Sequence, residues 1–595
     1  YKLLNNTANS GHEAASETAI GSTAEGIADS TEKDENQNNK TYQLFNRLMR
    51  PLIEDAPNGQ RAAKNRLKML AFVISLMLLS VALPVGKLVV LKMLPFDNKS
   101  EFQVIVDMPE GTPLEETLAV LEELGDHLKT VDTVKDYQLY AGINAPINFN
   151  GLVRQYYLRK APHMGDIQVN LVDKDQRDLQ SHDIALLVRP ALQKIGKQYN
   201  ANVKVIEVPP GPPVMSPLVA EVYGPNYEEQ IKAAKKLRAV FANTPDIIDI
   251  DDTIEAEQQK MVLHIDRQKA ALKQVVYGDI VNTIDSVLKG DDASYMHNEN
   301  NKFATPIRLQ FSESHKSDMQ KILQLKVRNM AGELISLSEF INIEKTVIDK
   351  TIYHKNLLPV VFVNADMAGE LDSPLYGLFD MFSAIKNGAM NDTAVSDGTD
   401  GQKAPEQYFI NQPDTTHTTS IKWDGEWQIT YETFRDMGIA YGVGMILIYL
   451  LVVAQFKSYL VPLIIMAPIP LTIIGVMPGH ALFNAQFTAT SMIGMIALAG
   501  IIVRNSILLV DFINHELAKG TELVEAAINS AAVRTKPIML TGIAAMTGAF
   551  FILDDPIFNG LAISLIFGIL ISTVFTLVLI PMLYFVYQNK QIAKN

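Results

Sequence analysis

Ile501-Ile502-Val503-Arg504-Asn505-Ser506-Ile507-Leu508-Leu509-Val510 sets a guanidinium in the middle of an apolar run long enough to cross a bilayer. A guanidinium does not shed its proton, and placing it at mid-membrane costs about 2.5–3.5 kcal/mol on insertion scales. Such a residue should face a protein interior or a watery cavity and meet an acidic partner, which marks an ion pathway. The run belongs to a longer apolar stretch, 488–513. Similar stretches at 67–91, 434–454, 461–479, 537–553 and 559–587 read as further transmembrane helices.

The acidic partner is missing from these stretches. Asp511 lies seven residues beyond Arg504, about 10 Å along a helix and towards its end, too far for a direct pair. It reads either as an interfacial carboxylate or as part of a proton exit.

Basic residues set the orientation. Arg47, Arg50, Arg61, Lys64, Arg66 and Lys68 lie in 41–68, before and at the start of the first stretch, Lys457 follows the second, Arg534 and Lys536 precede the fifth, and Lys590 and Lys594 follow the sixth. The link between the fifth and sixth carries Asp554-Asp555 and no base. By the positive-inside rule both ends are cytoplasmic and the block 95–433 is exported. The expected layout is a disordered tail or loop at 1–40, a basic amphipathic segment at 41–66 and a first transmembrane helix at 67–94. The exported block, five transmembrane helices at 434–587 and a tail at 588–595 complete it.

The chain has 595 residues, too many for one domain, and its net charge of −14 argues against nucleic acid as a partner. With no cysteine it has no disulfide, thiolate nucleophile or cysteine-ligated metal. It begins at Tyr1 with no Met and no signal peptide, so we expect a piece of a longer protein. No phosphate-binding loop, nucleophile elbow or zinc-helix motif is present, so neither an ATP-driven pump nor a membrane hydrolase has residues to stand on.

Within the exported block, Phe102–Val106 alternates as a strand, and Thr112-Pro113-Leu114-Glu115 opens a helix with Leu114, Leu118, Leu121, Leu124 and Leu128 on one face. Strand 167–172, a helix near 182–197 broken by Pro190 and strand 203–208 form a second unit. The pattern restarts after Pro209-Pro210-Gly211-Pro212-Pro213 with strand 218–222, helix 227–242 and strand 247–250. Paired units of this kind suggest ferredoxin-like α+β subdomains. The stretch 387–418, with Asn391-Asp392 and Asp400-Gly401, reads as a long surface loop.

Leu94-Pro95, Pro109-Glu110-Gly111-Thr112, the run His264–Ala270, the run Arg504–Phe512 and the run Arg534–Thr541 occur in an order that resembles the resistance-nodulation-division (RND) efflux permeases, in their C-terminal half. The resemblance spans Phe45 to about Pro581. It implies a membrane α-helical bundle of six transmembrane helices plus a large periplasmic α+β block of porter and docking domains, with part of the docking layer at roughly 250–335. It further implies a homotrimer of the complete permease in the bacterial inner membrane, a periplasmic adaptor protein, an outer-membrane channel, and an N-terminal half bearing the acidic proton-relay residues. The implied activity is proton-driven export of small molecules, with the proton gradient and no cofactor as energy source.

On this resemblance Arg504 matches a membrane-embedded basic residue, usually Lys, that pairs with acids on another span. Thr541 matches a hydroxyl near that charge, and equally reads as a threonine bonded to its own helix. Arg534 matches an arginine at the cytoplasmic mouth of the proton route, and equally reads as a positive-inside anchor. Asn505 would bond a facing helix, and Ser572 and Thr573 read as packing residues. Gly494, Ala497, Ala499 and Gly500 permit close helix approach. The scattered methionines Met108, Met164, Met215, Met261, Met296 and Met367 raise a heavy-metal exporter as an alternative, although Met more often fills apolar cores. The other alternative is a non-transporting scaffold or sensor.

Overall fold

The computed structural model describes residues 40–54, 61–209, 211, 213–299, 301–369, 371–391 and 404–592. The expected tail at 1–39, Asp392 and Asp400-Gly401 of the expected loop, and the last three residues lie outside them. The basic segment forms helix α1, Lys40–Ile53, whose Tyr42, Phe45, Met49 and Ile53 recur every three or four residues and are buried. The Tyr42 hydroxyl donates to Glu525 at 2.5 Å.

Helix α2, Arg61–Val85, ends nine residues earlier than the expected 67–94 span. Pro84 cannot continue the hydrogen-bond ladder, and Lys87 takes the left-handed conformation that closes a helix, with φ 59°. Beyond it the chain runs on as an extended strap. Phe487 N–H donates to Val90 O at 2.8 Å, Lys92 N–H to Phe487 O at 3.2 Å, and Ala489 N–H to Met93 O at 3.0 Å.

Two α/β subdomains come next. In the first, β1 (Glu101–Asp107), α3 (Leu114–Lys129), β2 (Val134–Ala141), β3 (Met164–Leu171), α4 (Ser181–Gln198) and β4 (Asn202–Ile206) build an antiparallel sheet of order β2-β3-β1-β4. Alternate strand residues Phe102, Val104 and Val106 join Leu121, Leu124, Ile184, Val188 and Leu192 in one apolar core. On α3 the buried stripe is Thr117, Val120, Leu121, Leu124, Gly125 and Leu128. Leu114 and Leu118, expected on that stripe, are 43% and 40% exposed, because the sheet meets the helix a residue further round. Helix α4 runs unbroken through Pro190 rather than stopping there. Burial of Ile184, Val188 and Leu192 offsets the roughly 3 kcal/mol that an internal proline costs.

The second subdomain repeats this order with β5 (Leu218–Tyr223), α5 (Tyr227–Asn243), β6 (Ile247–Asp252), then, much later, β14 (Leu358–Met367), α6 (Pro374–Lys386) and β16 (Ser420–Gly425). Its central strands run β6-β14-β5-β16. In the region expected to be loop, β15 (Glu406–Tyr408) pairs in parallel with β16. Between β6 and β14 a separate compact unit is inserted, Thr253–Pro359 with Pro109–Pro113. It contains β7 (Gln259–Ile265) paired with β12 (Ile341–Val347) and the short hairpins β8-β9 (Asp291–Met296, Thr305–Leu309) and β10-β11 (Lys326–Arg328, Leu334–Ser336). Ala270, Ile280, Leu337, Phe340 and Ile341 form its own core.

The chain returns to long helices at α7 (Glu426–Phe456), eight residues before the expected boundary. Gly425 makes the turn at φ 94°, and a Cβ there would lie 2.7 Å from the Ser216 and Pro217 carbonyls, so only glycine fits. Helices α8 (Val461–Leu482), α9 (Ala489–Ala518), α10 (Leu523–Phe550) and α11 (Asn559–Ile592) complete the chain's helical part. Pro468 and Pro470 interrupt α8 with a tighter turn at Pro470–Thr472. The five described helices long and apolar enough to cross a membrane are α2, α7, α8, α9 and α11. Helix α10 is not among them; Glu525, Arg534 and Lys536 charge its first half.

Candidate functional site

Helix α9 has two unlike faces. Gly494, Leu498, Ala499, Ile502, Val503, Asn505, Ser506, Leu509, Val510 and Ile513 are buried in the bundle. Gly494 seats α9 against α11, since a Cβ there would stand 2.7 Å from Ser564 Cβ. The opposite stripe, Ile493, Ala497, Gly500, Arg504, Leu508, Asp511 and His515, recurs at intervals of three and four and is exposed throughout. The small residues therefore divide: Gly494 and Ala499 serve packing within the chain, whereas Ala497 and Gly500 lie on the open stripe, with nothing within 4 Å of a Cβ on Gly500.

Arg504 and Asp511 lie on the same open stripe and make no ion pair or side-chain hydrogen bond among the described residues. Asn505, next to Arg504, points the other way and is 5% exposed. On α10 the Thr541 residue is exposed, and its hydroxyl donates to its own helix at Ile538 O, 2.9 Å away. Arg534 reaches α9, its guanidinium carbon 5.2 Å from the Phe512 ring centre, and its Nε is buried without a hydrogen-bond partner. Ser572 is buried and bonds Ile569 O. From Lys536 onward α10 buries only Ile538, Gly542 and Ala549, and α7 buries only Thr430 and Val452. Arg504 and Thr541 are thus on surfaces that no described residue covers.

A second feature is not evident from the sequence. The faces of the two subdomain sheets turned away from their helices carry charge. Lys204, 2% exposed, bridges Asp107 of its own sheet and Asp251 of the other subdomain. Burial raises the Asp107 pKa but the cations Lys204 and Arg159 outweigh it, holding the carboxyl well below its usual range. Arg154 grips Asp366 with two parallel bonds of 3.1 Å, and Arg189 pairs with Asp249. Where these subdomains meet the strap and α7, a cleft opens, lined by Met93, Phe96, Val214, Met367, Glu426 and Ile429 among others.

At its edge Lys92 Nζ sits 2.8 Å from Asp372, and His182 Nδ1 sits 2.7 Å from Glu207 with its ring stacked on Phe96 at 4.4 Å. Burial opposes charging His182, but Glu207 and Asp372 prevail over it and over Lys92, so its pKa is raised. The sequence signal is present in Val203-Lys204-Val205 and Asn364-Ala365-Asp366, where period-two charge looks like a solvent face. That face is instead a subdomain interface.

The sequence profile of the AcrB/AcrD/AcrF family matches residues 27–374 and 398–588. The chain belongs to that family. This AcrB/AcrD/AcrF member thus belongs to the RND permease family, a family of membrane transporters, and its long apolar helices are those of a multi-pass membrane protein. It is 23% identical over 370 residues to the swarming motility protein SwrC of Bacillus subtilis (strain 168), covering 61% of this chain and 32% of that protein. It is also 23% identical over 359 residues to the multidrug resistance protein MdtC of Proteus mirabilis (strain HI4320), covering 59% and 32%. Two crystal forms of a heavy metal efflux pump share the fold, with TM-scores of 0.71 and 0.68 at 17% and 18% identity. They cover 92% and 87% of this chain, and 52% and 51% of the pump chains. The chain thus spans about a third of the curated relatives' length and half that of the pumps.

Proposed function

We propose that this chain is the C-terminal half of a proton-driven export permease. The open stripe on α9 carries the reading: an apolar helix presents an uncovered Arg504 between small and apolar residues. A second helical half that brought carboxylates to this stripe would supply the missing partner. With those carboxylates ionised the pair would hold the halves in one packing; a proton would neutralise the acid, release Arg504 and favour another. Arg504 keeps its charge throughout and is not the proton carrier. In this scheme Thr541 positions water, Asn505 bears on the helices of its own bundle from the buried face of α9, and Arg534 and Asp511 lie on the cytoplasmic route.

The remaining parts fit the same scheme. Helix α10 is the sixth span, both ends of the chain are cytoplasmic, and the α/β block is periplasmic. Its two repeated units are ferredoxin-like porter subdomains, and the inserted unit Thr253–Pro359 belongs to the docking layer of a homotrimer that engages an adaptor and an outer-membrane channel. Small molecules enter from the periplasm or outer leaflet at the cleft beside the strap. A heavy-metal cargo is the second reading, favoured by Met93 and Met367 on the cleft wall.

The test is export by the complete assembly carrying Arg504→Ala or Arg504→Lys. The proposal expects export to be lost in the first and largely kept in the second, with unchanged membrane insertion. Undiminished export by Arg504→Ala would overturn the role assigned to Arg504.

A further inference from the structure

The strap is fastened to the starts of two helices, one from each α/β subdomain, and a histidine stands where they meet. Ser181 Oγ, at the start of α4, accepts the Lys99 N–H and donates to Asp97 O, each at 3.1 Å, while Ser373, just before α6, donates to Leu91 O at 2.7 Å. His182 follows Ser181. Its Nδ1 is 2.7 Å from the carboxylate of Glu207 in its own subdomain, and its Nε2 is 3.7 Å from that of Asp372 in the other. Phe96 of the strap stacks on the ring, 4.4 Å between centres and 11° between planes, which fixes the direction of both nitrogens. Carboxylates on opposite nitrogens suit one form of the ring. A neutral imidazole has a single N–H and turns a lone pair towards the other carboxylate; the imidazolium has an N–H for each. The surrounding charges agree. Glu207, Asp372 and Lys92 face the ring, and Glu426 of α7 in turn faces Lys92 and Asp372. Asp97 and Lys99 pair with each other, and Asp183 accepts the Gln180 N–H. Arg154 and Arg189, elsewhere on the cleft wall, are held by Asp366 and Asp249. Carboxylates thus outnumber cations around the ring, and a proton on His182 narrows the excess. Burial works against that proton, but Glu207 and Asp372 outweigh it and raise the pKa.

We propose that His182 is a proton-operated bridge between the two α/β subdomains: as imidazolium it spans Glu207 and Asp372, and on losing its proton it lets Asp372 go. Deprotonation leaves Asp372 held through Lys92, at a residue whose φ of 37° is a strained conformation kept only where neighbours hold it. The contact between the subdomains then loosens at the point where the strap crosses it. This goes beyond the permease reading and does not depend on it, since the bridge lies wholly within the chain. In the placement proposed above, the ring faces the compartment that supplies the driving protons, so acidity there tightens the subdomains on the strap.

The chain has no cysteine, so a pair of spin labels reports only from where it is placed. Lys194→Cys on α4 and Ser383→Cys on α6, both exposed, carry the labels in the full chain in nanodiscs. Their separation is measured by pulsed electron paramagnetic resonance from about pH 5 to about pH 9. The proposal predicts a narrow distribution at the acidic end that lengthens or broadens as pH rises, with a midpoint above the ordinary 6.5. His182→Gln, uncharged at every pH, should show the alkaline distribution throughout. Glu207→Gln should keep the response and lower its midpoint by about one pH unit, and it decides the matter if His182→Gln does not fold. A separation that ignores pH, a midpoint below 6.5 or opening on acidification overturns the proposal. So does an unmoved midpoint in Glu207→Gln. A response that survives His182→Gln belongs to another group, Glu426 foremost, and overturns it as well.

Discussion

Lys92 Nζ lies 2.8 Å from the Asp372 carboxylate, with the lysine side chain 3% exposed and the aspartate 15%. The pair ties the strap that leaves α2 to the second α/β subdomain. The same strap is laced to the loop before α9 through Phe487, and Ser373 Oγ donates to Leu91 O at 2.7 Å. The bundle and the α/β subdomains are thus joined through one short extended segment as well as through α7.

Breaking this pair on one side should be costly. Lys92→Ala leaves the largely buried aspartate with only the His182 ring, 3.7 Å away, facing it, and should destabilise the chain by about 3 kcal/mol. The double variant Lys92→Met with Asp372→Leu should recover most of that loss. Thermal unfolding in detergent, arranged as a double-mutant cycle, measures both.

The His182 contribution has a defined sign. Its pKa is raised in the fold above the ordinary 6.5, chiefly by Glu207 against the opposing effect of burial. A group whose folded pKa is raised adds stability fully present below the unfolded pKa and lost as pH rises through the folded one. His182→Gln should therefore be most damaging below about pH 6.5 and nearly silent well above the folded pKa. A stability difference that grew with pH would contradict the assigned contacts.

The glycines of α9 separate the two faces. Gly494→Ala inserts a methyl 2.7 Å from Ser564 Cβ and should cost about 1–3 kcal/mol. Gly500→Ala meets nothing within 4 Å and should leave the chain as stable or slightly more so. Gly500→Trp should be tolerated by the chain alone and should block export in the complete assembly.

How legible all this was depends on what each residue had to satisfy. Phe102–Val106 and the helix 227–242 read correctly because one apolar period decided them, and both occur as β1 and α5. Arg504 stood out because a charge in an apolar run has no ordinary explanation. Leu114 and Leu118 misled, since leucine spacing fits a buried stripe whether or not the sheet reaches it. Lys204, Asp107, Arg154 and Asp366 were hidden for the opposite reason: alternating charge describes a wet face and a paired interface equally well. Pro190 looked like a break because the sequence does not display the burial that holds α4 together.

The central claim is that the stripe bearing Arg504 is covered in the membrane by a helix that brings a carboxylate. A photo-crosslinking amino acid in place of Leu508, 37% exposed on that stripe, tests this directly in native membranes. The predicted result is a crosslink, identified by peptide mass spectrometry, to an apolar helix outside this chain's described spans that carries Asp or Glu within about one turn of the attachment point. Crosslinks to lipid alone, or to a helix without an acidic residue, would contradict it.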